Sequence, residues 1–193
     1  TNFLMESALL ITKKIKIINR NLLVENLKYI SDLHTSGFPR IEFLLKFKKK
    51  YLSIIFNKKK NNRKKIFISR KYSSRRKILN EDNIVKILKK KNFHICYPEK
   101  LSFLEQVKLF SNCKTLVSNH GAGLTNLIWM KKPSKIIEIR EPKKNLNAFF
   151  VLSNMFKIKY KYYFVNNKSF LNFLSHNNYN VVLNDFFKKF KNI

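Results

Sequence analysis

The run Thr115-Leu-Val-Ser-Asn-His-Gly-Ala-Gly-Leu-Thr-Asn-Leu-Ile-Trp-Met130 decides the fold, because it reads as a strand, a tight turn and a helix in immediate succession. Thr115 to Ser118 supplies the strand, His120-Gly121-Ala122-Gly123 the turn, and the helix opens near Ala122. The chain holds only three glycines in 193 residues, where average usage gives roughly 14, and two of them stand here. Glycine admits φ > 0 and lets a ligand approach the backbone with no Cβ in the way. A helix N-terminus adds N–H donors and a positive dipole end. The turn is therefore a candidate cradle for an anion.

Outward from this run the same rhythm repeats. Upstream, Lys65 to Ser69 is a short apolar strand followed by a basic loop from Arg70 to Leu79. Asn80 then caps a helix with Glu81 and Asp82 in its first turn and Lys89 to Lys91 in its last, which complements the dipole at both ends. Phe93 to Tyr97 is a strand stopped by Pro98, and Ser102-Phe-Leu-Glu105 is a capping box opening a helix that ends near Asn112. Downstream, Lys135 to Arg140 is a strand closed by Pro142, Asn145 to Phe156 a helix, and Ile158 to Val165 a strand. Lys168 to His176 is a weak helix, and Asn184 or Asp185 caps a last helix bearing Phe186, Phe187 and Phe190. Such alternation predicts the α/β class, a parallel sheet covered by helices on both faces. Residues 1 to 57 lack the rhythm. Ile15 to Ile18 and Leu22 to Val24 can pair as strands, Ile41 to Tyr51 reads as helix, and Asn57 to Lys65 is a polar, charged linker.

Composition bounds the class. A hydrophobic fraction of 45 %, with 18 Phe and 8 Tyr, can fill the core of one domain. No apolar stretch approaches the roughly 18 residues that span a bilayer, and Ser7 to Ile11 is too short for a signal h-region. A cytoplasmic protein, with peripheral contact at an anionic membrane surface, fits these features. Cys96 and Cys113 lack metal-ligand spacing and read as buried free thiols. The first residue is Thr, which suggests that something precedes it. The net charge of +30 invites a polyanion reading. The lysines are nevertheless spread along the chain, which favours a solvated basic surface over a dedicated nucleic-acid site. Arginine says more: of only seven, Arg70, Arg75 and Arg76 fall together, and Arg is the residue of bidentate phosphate recognition.

In an open parallel sheet, ligands bind at the carboxyl ends of the strands. Three strand ends carry notable groups: Arg70, Arg75 and Arg76, then the turn from His120 to Asn126, then Glu138. A nucleotide diphosphate would use all three, with guanidinium and backbone N–H on phosphate and the acid on ribose. Each group also has an ordinary structural reading: surface charge for the arginines, a hydrogen-bonded turn residue for His120, an ion-pair partner of Arg140 for Glu138.

The ordered blocks Ile66-Phe-Ile-Ser-Arg70, Ser74-Arg75-Arg76-Lys-Ile-Leu-Asn80-Glu81, Tyr97-Pro98-Glu99-Lys-Leu101-Ser102-Phe-Leu-Glu105-Gln106, Ser118-Asn-His120-Gly-Ala-Gly-Leu-Thr-Asn126 and Ile136-Ile-Glu138-Ile139 closely resemble the carboxy-terminal domain of glycosyltransferase family 61. The resemblance covers roughly residues 60 to 165. It implies the carboxy-terminal half of a GT-B architecture, with residues 58 to 193 a Rossmann-like domain holding a nucleotide-sugar donor, most simply a UDP-sugar. Residues 1 to 57 are then the tail of the acceptor domain and the interdomain connection. It also implies inverting transfer to a glycan or other hydroxyl acceptor, and assigns the site residue by residue. Donor contacts fall to Arg70, Arg75, Arg76 and Asn80, and to His120, Gly121, Ala122, Gly123, Leu124, Thr125 and Asn126, with the nucleotide on Glu138. Met130-Lys-Lys-Pro-Ser134 departs from the Pro-Pro-Gly turn common among members.

The chemistry expected of such a site agrees. A departing nucleoside diphosphate gathers negative charge, which fixed donors stabilise. The chain has no Asp-x-Asp to hold a metal, so arginines and a helix N-terminus take that part, and no metal or other cofactor is expected. Inversion needs a base on the acceptor hydroxyl; Asp32, His34 and His120 are the candidates, His120 being the one within the motif. Two other functions compete: a basic nucleic-acid-binding protein, and an inactive truncated remnant. A nicotinamide-dependent oxidoreductase using Gly121, Gly123 and Glu138 is disfavoured, because the turn follows the third strand of the series rather than the first.

Overall fold

A computed structural model describes residues 34–35, 38–55, 63–74, 76–142, 147–165, 178–191 and 193. A two-residue antiparallel pair, His34–Thr35 with Phe38–Pro39, leads into α1 (Ile41–Ile55). The alternating part follows: β1 (Lys64–Ile68), α2 (Glu81–Lys90), β2 (Phe93–Cys96), α3 (Phe103–Ser111), β3 (Cys113–Asn119), a 3-10 helix (Ala122–Trp129), β4 (Lys135–Arg140), α4 (Ala148–Met155), β5 (Lys159–Phe164) and α5 (Leu183–Lys189). All five strands pair in parallel in the order β2-β1-β3-β4-β5. This is the expected Rossmann-like α/β sheet.

Both faces of the sheet are covered over its three central strands, so β1, β3 and β4 are buried as runs, whereas the edge strands β2 and β5 keep exposed positions. Ile66, Ile68, Leu116 and Ile136 point to one side, where Tyr51 of α1, Phe103, Val107 and Phe110 of α3, and Leu124, Leu127 and Trp129 of the 3-10 helix cover them. Phe67, Val117, Ile137 and Ile139 point to the other, beneath Ile84 and Leu88 of α2 and Phe186 and Phe190 of α5. Each such side chain contributes about 1.5–3 kcal/mol when fully buried.

Several local readings shift. The expected linker stops short of Lys64 and Lys65, which already belong to β1, and Arg63 donates to the carbonyls of Cys113 (3.4 Å) and Lys131 (2.5 Å). Asn80 stands at the start of α2 but does not cap it. Its amide donates to Val181 O (2.7 Å) and its oxygen accepts from Val181 N–H (3.0 Å), a tertiary tie that outcompetes the local cap. The Ser102–Glu105 capping box forms in both directions. The last helix begins at Leu183 after Val182, earlier than Asn184 or Asp185, and the helix after Ser118 is of the 3-10 type. α1 extends to Ile55 and packs into the sheet's own core through Tyr51. The strands expected at 15–18 and 22–24 and the helix at 168–176 lie outside the described residues. Among those described, no helix is long and apolar enough to cross a membrane. Cys96 and Cys113 are buried free thiols, which burial pushes up to about 12.

Candidate active site

The strand order fixes where a ligand can enter. From β1 the chain goes to β2 on one side and then crosses to β3 on the other, so the loops leaving β1 and β3 diverge and open a crevice at their carboxyl ends. Ser69 and Arg70 emerge from one strand, and Asn119, His120 and Gly121 from its neighbour. The His120 N–H still bonds to Ile139 O (2.8 Å), so the imidazole is held at the rim of the sheet.

Both described arginines of the basic loop, Arg70 and Arg76, are tied down at this rim. Glu81, at the first position of α2 and only 8 % exposed, accepts from Ser69 Oγ and from the Arg70 N–H (3.1 Å). The Arg70 guanidinium donates to Ser73 Oγ at 2.6 Å. Arg76, in the left-handed region at φ 56°, accepts from Asn119 Nδ2 (2.9 Å) through its carbonyl and donates from Nη1 to His120 O (3.3 Å). Its Nε is buried with no partner in the structure. Burial, and then the charge of Arg76, lower the Arg70 pKa, which marks two guanidinium groups held close together. Such a pair favours an anion.

Gly121 explains the closeness. Its φ of 163° is extended backbone that any residue adopts, so the expected need for positive φ is not the reason for glycine here. A Cβ would instead stand 2.4 Å from Arg70 Nη1: the guanidinium occupies the space that the missing side chain leaves. Gly123 is a packing position, where a Cβ would meet Ile68 at 3.3 Å. Beyond these, Ala122 and Thr125 are exposed, and Leu124 is buried in the core. The leading N–H groups of a helix have no partner within it, and this helix opens at Ala122, directly after the Gly121 against which Arg70 packs.

Asn126 has a structural partner. Its amide donates to Gln106 Oε1 (3.0 Å) and Gly123 O (3.2 Å), while Gln106 donates to the carbonyls of Pro98 (2.9 Å) and Leu101 (3.2 Å). This chain of amides ties the 3-10 helix to the turn after β2 and floors a cleft of about 640 Å³ walled by Pro98, Glu99, Leu101, Ala122, Thr125 and Trp129.

Glu138, expected on the nucleotide, is fully buried in this structure. It lies on the sheet face with Ile136, accepts from His120 Nδ1 and from the Tyr160 hydroxyl (2.5 Å), and has Arg140 Nη1 at 4.0 Å. Burial, then the Glu138 carboxylate, push the Tyr160 phenol well above its usual range. The buried carboxylate thus meets the crevice only by way of the His120 ring, which also packs edge-on against Phe149 at 5.2 Å. With Nδ1 held, Nε2 is the ring nitrogen left for chemistry.

The structure thus brings Arg70, Arg76, His120 and Gly121 together and leaves Asn80 bound to Val181 instead. Arg75 and Asp32 lie outside the described residues, and of His34 only the backbone pairing with Pro39 is described. Sequence reasoning missed Glu81 and Gln106 as tethers and Tyr160 as a partner of Glu138. Glu81 was legible only as a dipole complement, because its partner Ser69 is distant in the chain.

The family described as Glycosyltransferase 61 matches residues 2–137. The match takes in Arg70, Arg76 and the whole His120 to Asn126 turn, and stops one residue before Glu138. It reaches further toward the amino terminus than the motif blocks do. No curated protein matches the chain.

Proposed function

The chain belongs to glycosyltransferase family 61, and we propose that it is the donor-binding half of a GT-B enzyme that transfers a sugar, with inversion and without a metal ion, from a nucleotide-sugar to a hydroxyl of a glycan. The observation that carries this reading is the Arg70 guanidinium seated on the Cα of Gly121 beside the opening of the 3-10 helix. Two guanidinium groups and a helix start converge where a diphosphate would lie. As the bond from the anomeric carbon to the diphosphate breaks, negative charge grows on the leaving oxygen. Donors already in place stabilise that charge with little reorganisation. Arg76 Nε, buried and without a partner, is the group that gains most from an arriving phosphate oxygen. The mostly apolar cleft beside Ala122 and Thr125 suits the flat base of a uridine. His120, fixed by Glu138, supplies Nε2 to the reacting groups, as hydrogen-bond donor or as base. Residues 1 to 57 complete the connection to the acceptor side.

Calorimetry with UDP, GDP and CDP in EDTA and in Mn²⁺ tests the donor reading. UDP is expected to bind in EDTA, and Arg76→Ala to weaken it by about 10²-fold, the loss of a charge-assisted bidentate contact. Arg76→Lys is expected to restore only part, because a point charge lacks the planar fork. Absolute dependence on Mn²⁺, or unchanged affinity in Arg76→Ala, would remove the reading.

A further inference from the structure

Lysines scattered in sequence are collected by the fold. All strands of a parallel sheet begin at one edge, and these begin with Lys64 and Lys65 in β1, Lys114 in β3, Lys135 in β4 and Lys159 in β5. Helices running back along the strands end there as well, with Lys89 and Lys90 closing α2 and Lys188 and Lys189 closing α5. Two hollows open on this edge. One, of about 690 Å³, is walled by Arg63, Lys64, Lys65, Lys89 and Lys114; the other, of about 230 Å³, by Lys135, Lys161, Lys188, Lys189 and Lys191. Neither has an Asp or Glu side chain in its wall. The two are electrostatically continuous, since Lys135 is lowered by burial and then by Lys161, Lys65, Lys159 and Lys114.

The described acids line neither hollow with a side chain: Glu42, Glu81, Asp82, Glu105 and Asp185 stand in first helical turns, Glu138 is buried within β4, and Glu99 and Glu141 lie just past the ends of β2 and β4. Helix dipoles account for lysines at helix ends. They do not account for the lysines that open four strands. We propose that this amino-terminal edge of the sheet is the surface by which the protein adsorbs to an anionic lipid bilayer, leaving the donor crevice on the opposite edge turned to solvent.

A bilayer fits this edge better than a nucleic acid does. Single-stranded binding needs open aromatic faces for bases, and here Lys65 Nζ lies over the Phe93 ring (5.6 Å) and Lys161 Nζ over the Phe190 ring (5.9 Å). Arg63, the one guanidinium among the residues walling the two hollows, is committed to backbone carbonyls. What remains are lysine point charges, which suit mobile headgroups that need no fixed geometry, at roughly fivefold in partitioning per residue near the surface.

The test is flotation of the full chain with vesicles of phosphatidylcholine alone or with phosphatidylserine added, across a salt series. Binding is expected only with phosphatidylserine, and to weaken as salt rises. The quadruple variant Lys64→Gln, Lys65→Gln, Lys114→Gln, Lys135→Gln should bind at least about 100-fold more weakly. A control removing the same charge from Lys46, Lys49, Lys50 and Lys86 should lose no more than about 10-fold, the share owed to net charge alone. Should the strand variant fail to fold, Lys188→Gln, Lys189→Gln, Lys191→Gln reads the same edge from its helix end. Equal losses in edge and control variants would overturn the proposal. So would tighter, edge-dependent binding of single-stranded RNA than of phosphatidylserine vesicles.

Discussion

At Gly121 the absence of a side chain is what lets an arginine reach the rim. A Cβ there would press on Arg70 Nη1, the far end of a flexible side chain, so the chain can absorb Gly121→Ala by swinging the guanidinium away. The fold should then hardly notice, with a loss below about 1 kcal/mol and a melting shift of a few degrees at most. UDP affinity should fall about 10- to 100-fold. Calorimetry and a thermal melt on the same variant separate the two; a large melting shift with intact affinity would contradict the assigned role. The sequence singles out this glycine by scarcity and by its place in a strand-turn-helix run. The cause it suggests, positive φ, differs from the one observed, because a side chain folding back from Arg70 leaves no local pattern. Glu138 teaches the same limit: its place near a strand end is legible, but the burial that gives it to His120 and Tyr160 depends on α4 and β5 packing over it.

Among the elements, α1 is the least foreseeable. Its apolar spacing reads as a helix, yet the charged stretch that follows gives no sign that Tyr51 inserts among Phe47, Phe103 and Trp129 at centroid distances of 4.5, 4.7 and 5.9 Å. Trp129 ends the 3-10 helix that follows the His120–Gly121 turn, so α1 packs behind the candidate site. The helix carries an ionic cost as well. Lys48 donates to Met130 O at 2.7 Å, and burial, with Lys132 and Lys131 nearby, lowers it from 10.5 to about 8. A depressed lysine means that the unfolded chain holds a proton that the folded one has released. The penalty is therefore complete below about 8 and relieved as pH rises toward 10.5. Lys48→Met should gain stability relative to wild type at neutral pH, and that advantage should shrink steadily across this window. Denaturant melts of both proteins at several pH values check it; a difference independent of pH would show that Lys48 is charged alike in both states. The caps are legible in proportion to their locality: Ser102 and Glu105 satisfy one another within one turn, whereas Asn80 is claimed by Val181, far along the chain.

For the molecule as a whole, alternation specifies a parallel sheet but not its order, because right-handed crossovers of similar length can step to either side of the first strand. The step from β2 across to β3 is what creates the crevice, and nothing in the local pattern announces it. Net charge is fully legible, and its consequence is self-repulsion. At +30, with the Lys71–Asp82 pair at 3.6 Å exposed on both sides and contributing little, added salt should screen more repulsion than attraction. The melting temperature should rise by about 5 °C or more between roughly 20 mM and 300 mM NaCl. A fall over that range would mean that attractive pairs dominate after all.

Arg70 and Arg76 are fastened to Ser73, Asn119 and His120 by the fold itself. The entropy of placing these two arginines is therefore lost on folding, once, and not each time a ligand arrives. On the proposed reading, association then has no ordering of these two arginines to wait for, and its rate should be set by encounter and by long-range attraction between a cationic protein and an anionic ligand. Residence time, by contrast, depends on the short contacts at the rim. Ionic strength should act on the first quantity and substitutions at the rim on the second, so that speed of capture and length of stay are governed by separate parts of the same chain.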